Sequence, residues 1–512
     1  MNTIHPDTWK QDLPAFREKT AAFYAGALDK AAYKGFSGLY GSYAQRGGQA
    51  SMLRLRMTAG RVTPEKLAFT ARAIRQYKVP RVHFTTCQTI QLHDLDGQTA
   101  GDIMEAALGA GIVTMGGGGD YPRNVMCSPL SGTERDEYFD VLPWAEAAGE
   151  YLMHFIKAEK MPRKLKVGFS SSPKNVTHAT YRDLGFAARS DGKFDVYSAG
   201  GLGNNPRFGV KVAEAVDPNK ILYYIKAMWL TFRAHGNYEN RGKARTRYMQ
   251  DACGGPEGYR RTFLEKLGEV FASGEDLDLD LRPAVPDKSG DGSLVSGPRV
   301  LEQRQPGLYT VVWHPIGGQP DPAVLCAVSD AMEKMPGAEL RLSPDETAYF
   351  INLNGAEART MLDLTHEGAQ TAFESSVSCI GGTTCQVGTR DSQGLLRACV
   401  AAVREAGLPG GALPQIHISG CPSSCGTHQT GPMGFRGASK LVDGQPKAAF
   451  TLFVGGDDRQ GSETMGRELG VMLEEKIPAF LVEVGRAAAR QGFSAWRESE
   501  PAALEEIAAK YL

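Results

Sequence analysis

The chain is 512 residues long, with 42% hydrophobic and 22% charged residues and a formal net charge of −1. That composition describes a folded globular protein of about two to four domains and argues against disorder. The near-neutral balance, with no long block of like charge, excludes a global attraction to nucleic acid or an anionic membrane, so anion chemistry needs a local basic pocket.

The opening segment MNTIHPDTWKQDL has no basic region followed by an apolar stretch, and no 18-residue apolar run follows elsewhere. A cytoplasmic protein without membrane insertion is expected. The first patterned segment is SMLRLRM. Period-two alternation puts Leu53, Leu55 and Met57 on one strand face and Arg54 and Arg56 on the other, where the arginines call for an anionic partner or water. A helix follows around Pro64 to Tyr77, and RVHFTTCQTIQLHDL, Arg81 to Leu95, reads as strand, turn and strand. Arg123 lies in YPRNVMC, and in MPRKLKVGF the same alternation sets Lys164 and Lys166 opposite Leu165 and Val167. AGGLGNNPRFG, from Ala199, lacks the G-x-G-x-x-G spacing and an acidic residue at the expected distance; it reads as a tight turn, not a dinucleotide site.

PAVPDKSGDGSLVSGP, Pro283 to Pro298, has the composition of a linker. Beyond it the pattern recurs. GLYTVVW precedes a helix around Pro322 to Met335, and ELRLSPDETAYFINL, Glu339 to Leu353, repeats the strand, turn and strand about 258 residues after the first. SVSCIGG around Cys379 pairs with NVMCSPL around Cys127, PQIHISGCP with KLKVGFSSSP, and FTLFVGGDDR with FDVYSAGGLG. Four matches in one order, at offsets of about 249 to 258, predict a pseudo-twofold molecule with cofactors at the junction.

Cys379 and Cys385 in CIGGTTC, and Cys421 and Cys425 in GCPSSCG, form two pairs that read as one metal site. Four thiolates suit a cubane iron–sulfur cluster or a structural zinc. Zinc modules usually place about two to four residues between paired cysteines; here one pair encloses five and the other three, so zinc is the weaker reading. Gly381, Gly382, Pro422 and Gly426 let backbone wrap closely around an inorganic core. The other cysteines, Cys87, Cys127, Cys253, Cys326 and Cys399, read as free thiols in a reducing compartment.

With these motifs the chain resembles the sirohaem-containing sulfite and nitrite reductases, whose signature is C-x5-C followed by C-x3-C; further motifs match in order from about Leu53 to Gly437. The resemblance implies an α+β fold, a pseudo-twofold repeat of ferredoxin-like half-domains plus two mixed-sheet domains that hold sirohaem and cluster. The expected division is an N-terminal segment and first half-domain over 1–112, a first sirohaem-binding domain over 113–282, a linker over 283–299, a second half-domain over 300–370 and a cluster-bearing domain over 371–512.

The resemblance further implies a [4Fe–4S] cluster on Cys379, Cys385, Cys421 and Cys425, with Cys425 also binding the sirohaem iron. It assigns substrate binding to Arg54, Arg123, Lys164 and Lys166, and sirohaem contacts to Thr85 and Gln91 in TTCQTIQ and to Arg245 in KARTRY. Four positions depart from the family pattern: His83 and Cys87 replace arginines, Ser423 an asparagine and Glu346 a glutamine. The implied activity is six-electron reduction of sulfite to sulfide, since nitrite reducers commonly carry asparagine at the position of Lys166. Nitrite reduction to ammonia, or activity on both anions, is the alternative; a corrin-biosynthesis relative or a non-catalytic iron–sulfur protein is weaker. No P-loop, flavin motif or NADPH site is recognisable, so electrons are expected from a separate protein such as ferredoxin or a flavoprotein.

Overall fold

Two segments about 258 residues apart fold alike because their apolar residues are spaced alike. In the helix Pro64–Tyr77 the buried face is Leu67, Thr70, Ala71 and Ile74; in Pro322–Met332 it is Leu325, Val328, Ser329 and Met332. Both follow the i, i+3, i+4, i+7 rule of one helical face, both carry proline at their first turn, and Thr63 and Asp321 cap them. The faces pack on each other, and the Cys326 thiol reaches the Ala71 carbonyl at 3.6 Å. Truncating Leu67 to alanine in this seam would cost about 3 kcal/mol. Each helix is preceded by a strand, Ser51–Arg56 or Tyr309–Trp313, and followed by an antiparallel hairpin, Arg81–Phe84 with Thr89–Leu95 or Glu339–Leu342 with Ala348–Leu353.

This computed structural model describes residues 7–158, 160–284 and 287–512. Residues 1–6 of the opening segment, and Val285 and Pro286 of the linker, lie outside the described residues.

The halves interlock. The strand Arg61–Val62, from the first half, adds to the second half's sheet by pairing Val62 with Leu340 and Arg61 with Arg341. Arg61 also grips Glu339, with its Nε 3.1 Å from each carboxylate oxygen. One hydrophobic core runs through both halves, from Trp9 to Ile156 and from Tyr309 to Met361. At the junction Gly60 and Gly318 sit in equivalent left-handed turns, with φ of +72° and +67°. A Cβ on Gly60 would stand 2.6 Å from both Gln88 Nε2 and the Leu342 carbonyl; one on Gly318 would stand 2.8 Å from Glu346 Cβ.

Two further cores lie between Ala59 and Leu277 and between Phe373 and Ala508. Their sheets share one topology. In the first, Met126–Cys127, Val167–Ser170 and Leu184–Ala188 run parallel, then Phe194–Ser198 and Val210–Val216 are added antiparallel. In the second, Val377–Ser378, Ile416–Ser419 and Met433–Val442 run parallel, then Gln445–Val454 and Arg467–Leu473 are added antiparallel. All four sequence pairs fall on equivalent strands of this double repeat, and the fold is the expected α+β pseudo-twofold arrangement. The linker beyond Pro286 is held to the second half: Lys288 pairs with Glu357 at 2.7 Å, and Asp291 accepts from the Gly355 and Ala356 N–H groups. Among the described residues no helix is long and apolar enough to cross a membrane.

Candidate active site

Alternation along Ser51–Arg56 buries Leu53 and Leu55 completely and sends the neighbouring arginines the other way. Their fates differ. Arg54 lines a cavity of about 1150 Å³, whereas Arg56 is buried and donates at 3.2 Å to the carbonyls of Met115, Pro122 and Arg123. The expected anionic partner of Arg56 is thus replaced by backbone oxygens, which fix the loop that carries Arg123. Burial, then the charges of Arg123 and Arg54, lowers the Arg56 guanidinium to about 9.

The cavity is walled by several elements. Arg54, Gln91 and His93 come from the first half's sheet, Gly119 and Arg123 from the loop after it, Lys164 from the segment before Val167–Ser170, and Ile380, Thr384, Cys385 and Gln386 from the first cysteine loop. Arg54 and Arg123 both donate to the Gly117 carbonyl. Lys164 and Lys166 flank the fully buried Leu165, as alternation predicts, although the strand itself begins at Val167; Leu165 forms an isolated bridge with Pro122. Burial and the neighbouring cations Lys166, Arg245 and Arg123 push Lys164 well below the usual lysine range.

Beside the cavity stands Cys87, at the tip of the hairpin turn. Burial alone would raise its thiol, but Lys166, Arg182 and Arg54 together outweigh that and bring it down to about 6. Thr85 is committed within the same turn: its hydroxyl lies 2.7 Å from Thr89 Oγ1 and accepts from the N–H groups of Cys87 and Thr89. Arg245 lines a second cavity, of about 580 Å³, with Arg207 and Lys243, and holds the buried Asp183 at 3.0 and 3.1 Å. Of the residues singled out in the sequence, Arg54, Gln91, Arg123, Lys164 and Cys385 therefore share the larger cavity, Lys166 and Arg245 stand within electrostatic reach of its Lys164, and Thr85 does not line it.

Sequence reasoning passed over several residues of this region. Arg182, in TYRDLGF, and Arg247, two positions after Arg245, add cations. The glycine run 116–119 supplies the carbonyl that Arg54 and Arg123 share; its signal in the sequence is four consecutive glycines. The segment Ala44 to Arg46 clamps the cysteine loop: Arg46 N–H donates to the Thr384 carbonyl at 2.8 Å, Arg46 Nη2 to the Cys385 carbonyl at 3.3 Å, and Gln386 Nε2 to the Ala44 carbonyl at 2.6 Å.

The cysteine loops are tied to each other. Thr389 and Arg390 N–H both donate to the Gly420 carbonyl, at 3.0 and 2.9 Å, and Gly420 N–H donates to Cys379 Sγ at 3.2 Å. A Cβ on Gly426 would stand 2.1 Å from the Ile418 carbonyl, so the second loop can turn against its strand only as glycine. Cys425 keeps an exposed surface, yet the packing around its sulfur raises the thiol while Lys164 and Lys166 oppose, and Cys421 and Cys385 are close enough to add to the rise. Among the described residues no three His, Cys, Asp or Glu side chains stand close enough to hold a single metal ion, as a closed zinc site requires. A cubane places each thiolate on a different iron and takes thiols set further apart.

The surroundings suit a polyanionic macrocycle. Arg123 Nε and Arg247 Nε and Nη1 are buried and without hydrogen-bond partners, as is the Nε of Arg245 beside its pairing with Asp183, and buried guanidinium groups left short of partners are costly unless an anion meets them. Sirohaem carries eight carboxylates, and four thiols on two tethered loops provide the soft donors that an iron–sulfur cluster takes.

Residues 43–110 match the family described as "Nitrite/Sulfite reductase ferredoxin-like half domain", and residues 118–271 that described as "Nitrite and sulphite reductase 4Fe-4S domain". The chain is similar to a ferredoxin–nitrite reductase of Synechococcus elongatus, 27% identical over 86% of this chain and 87% of that one. It is also similar to the NADPH sulfite reductase hemoprotein beta-component of Chromohalobacter salexigens, 24% identical over 79% and 75%. The solved structure of NirA from Mycobacterium tuberculosis shares the fold, with a TM-score of 0.78 and 22% identity over 96% of this chain and 94% of that one. Both stretches thus match domains of the nitrite and sulfite reductases, and the chain is an oxidoreductase of the sirohaem and [4Fe–4S] type.

Proposed function

We propose that this enzyme reduces sulfite to sulfide. The observation that carries the reading is a cavity bordered by Arg54, Arg123 and Lys164 on one side and the Cys385 loop on the other, with Lys166 behind. When bound, the sirohaem and the cluster would relay, one at a time, the six electrons that a donor delivers. Cys379, Cys385, Cys421 and Cys425 would hold the cluster, Cys425 would also serve the sirohaem iron, and Gln91, Arg245 and the unpartnered guanidinium groups would meet the macrocycle's edge.

The remaining work falls to the chain itself. Two opposite unit charges about 4 Å apart attract by about 4 kcal/mol at an effective dielectric near 20, so Arg54, Arg123 and Lys166 together offset the desolvation of a small oxyanion. Each oxygen that leaves as water takes two protons. Lys164, its ammonium weakened by burial and like charges, is suited to give one. Its neighbours then hold the anion while the lysine is restored from solvent. Electrons come from a separate donor protein, with ferredoxin or a flavoprotein the two candidates, and the enzyme works in the cytoplasm.

A second reading, reduction of nitrite to ammonia, rests on Cys87. A thiolate beside Lys166 cancels part of that lysine's charge and favours the less charged anion; the Synechococcus relative is named for nitrite. Absorption of the purified enzyme tests the cofactor assignment through red-shifted chlorin-type bands, and steady-state rates with each anion and an artificial donor separate the readings. A higher kcat/KM for nitrite reverses the preference.

A further inference from the structure

Arg54 has hydrogen-bond donors only. The Gln91 amide beside it must therefore present its oxygen, which lies 3.2 Å from Arg54 Nε and 2.5 Å from Nη2. The same amide then turns its nitrogen, 3.3 Å away in each case, to His83 Nδ1 and to His93 Nε2. Both ring nitrogens have to accept, so each imidazole carries its proton on the other nitrogen.

For His93 that proton is on Nδ1, 3.0 Å from the Gln45 side-chain oxygen. For His83 it is on Nε2, which faces Glu346 Oε1 at 3.3 Å. Glu346 is fully buried and His83 nearly so. The other Glu346 oxygen accepts the Ser378 N–H at 3.0 Å.

Pseudo-symmetry shows what is unusual. Gln88, the first half's counterpart of Glu346, accepts the Cys127 N–H at 2.9 Å and gives its own N–H groups to the Cys127 and Leu342 carbonyls. Glu346 keeps the accepted bond but has no N–H to give, and sets its other oxygen 3.3 Å from His83 Nε2 instead. His83 and Glu346, two separate departures from the family pattern, are partners in space.

We propose that Glu346 and His83 are positioning residues for the substrate arginine: Glu346 fixes the His83 tautomer, His83 fixes the Gln91 amide, and the amide oxygen holds Arg54 toward the cavity. The specificity pocket in the first half is thereby set by a carboxylate from the second. The proposal rests on the reading of Arg54 as an anion-binding residue.

A glutamine at 346 can satisfy Ser378 only by turning its NH2 to His83. That forces the opposite tautomer and rotates Gln91 until two donors, its NH2 and Arg54, face each other. In the holoenzyme, Glu346→Gln and His83→Leu should each raise the Kd for nitrite, followed by optical titration, and its KM by about tenfold, with kcat within about twofold. The double variant should be no worse than the poorer single one. His83→Gln, which can offer an oxygen to Gln91 and an N–H to Glu346, should recover most of the affinity that His83→Leu loses; this pair tests the chain should Glu346→Gln fail to fold. Arg54→Met is the control. If it weakens binding while Glu346→Gln and His83→Leu do not, or if their effects multiply in the double variant, the positioning role is wrong. If Arg54→Met leaves Kd unchanged, the anion-binding reading falls first and takes the positioning role with it.

Discussion

Arg54 and Arg123 donate to one acceptor, the carbonyl oxygen of Gly117. Two cations converge on a neutral oxygen that cannot cancel their charge, and Arg56 holds the loop that makes this possible by bonding the Arg123 carbonyl. Arg123→Met should therefore raise the KM for either anion roughly 30-fold or more, the worth of one hydrogen bond to a charged group, while the absorption of the bound cofactors is kept. Steady-state kinetics and spectra of the same preparation check it.

Lys166 lies on the same side of Leu165 as Lys164, and both reach Cys425 electrostatically. Removing its charge should penalise the more highly charged substrate more. In Lys166→Asn, kcat/KM for sulfite is expected to fall about tenfold further than for nitrite. Equal losses for the two anions would remove the argument for sulfite.

The Cys87 thiol, brought to about 6 by Lys166, Arg182 and Arg54 against the effect of burial, titrates within the working range. As pH rises through 6 it loses its proton, a negative charge appears among the cations, and a bound anion is repelled. Nitrite stays ionised throughout, so its KM should climb roughly fivefold between about pH 5 and pH 7.5. Cys87→Ser should flatten that climb and leave the lower value at both ends; pH profiles of the two proteins decide.

Gly60→Ala places a methyl group 2.6 Å from Gln88 Nε2 and the Leu342 carbonyl in a turn with φ of +72°. The loss should be about 2–4 kcal/mol, seen as a lower unfolding midpoint. Gly26→Ala has nearly the same φ, +76°, with nothing within 4 Å, and should cost only about 1 kcal/mol.

The double repeat was readable because each copy keeps the same strand alternation and the same helical spacing, as Leu67 to Ile74 and Leu325 to Met332 show. The cysteine pairs were readable because ligand spacing is local. Partners brought from far along the chain were not. Period two predicted the direction of Arg56 but not that three carbonyls would receive it. Likewise His83 and Glu346, 263 positions apart, read as two isolated oddities until the fold set them 3.3 Å from each other. The local partners of Thr85 belong to the same class: its place in TTCQTIQ says nothing of the three turn atoms that its oxygen meets.

The short strand Arg61–Val62 completes a sheet whose other strands belong to the far half of the chain. A lone copy of the repeat would leave that edge bare and could cover it only by embracing a twin. Within one chain the first half supplies that cover, which leaves one copy to carry the cations and the other the sulfur.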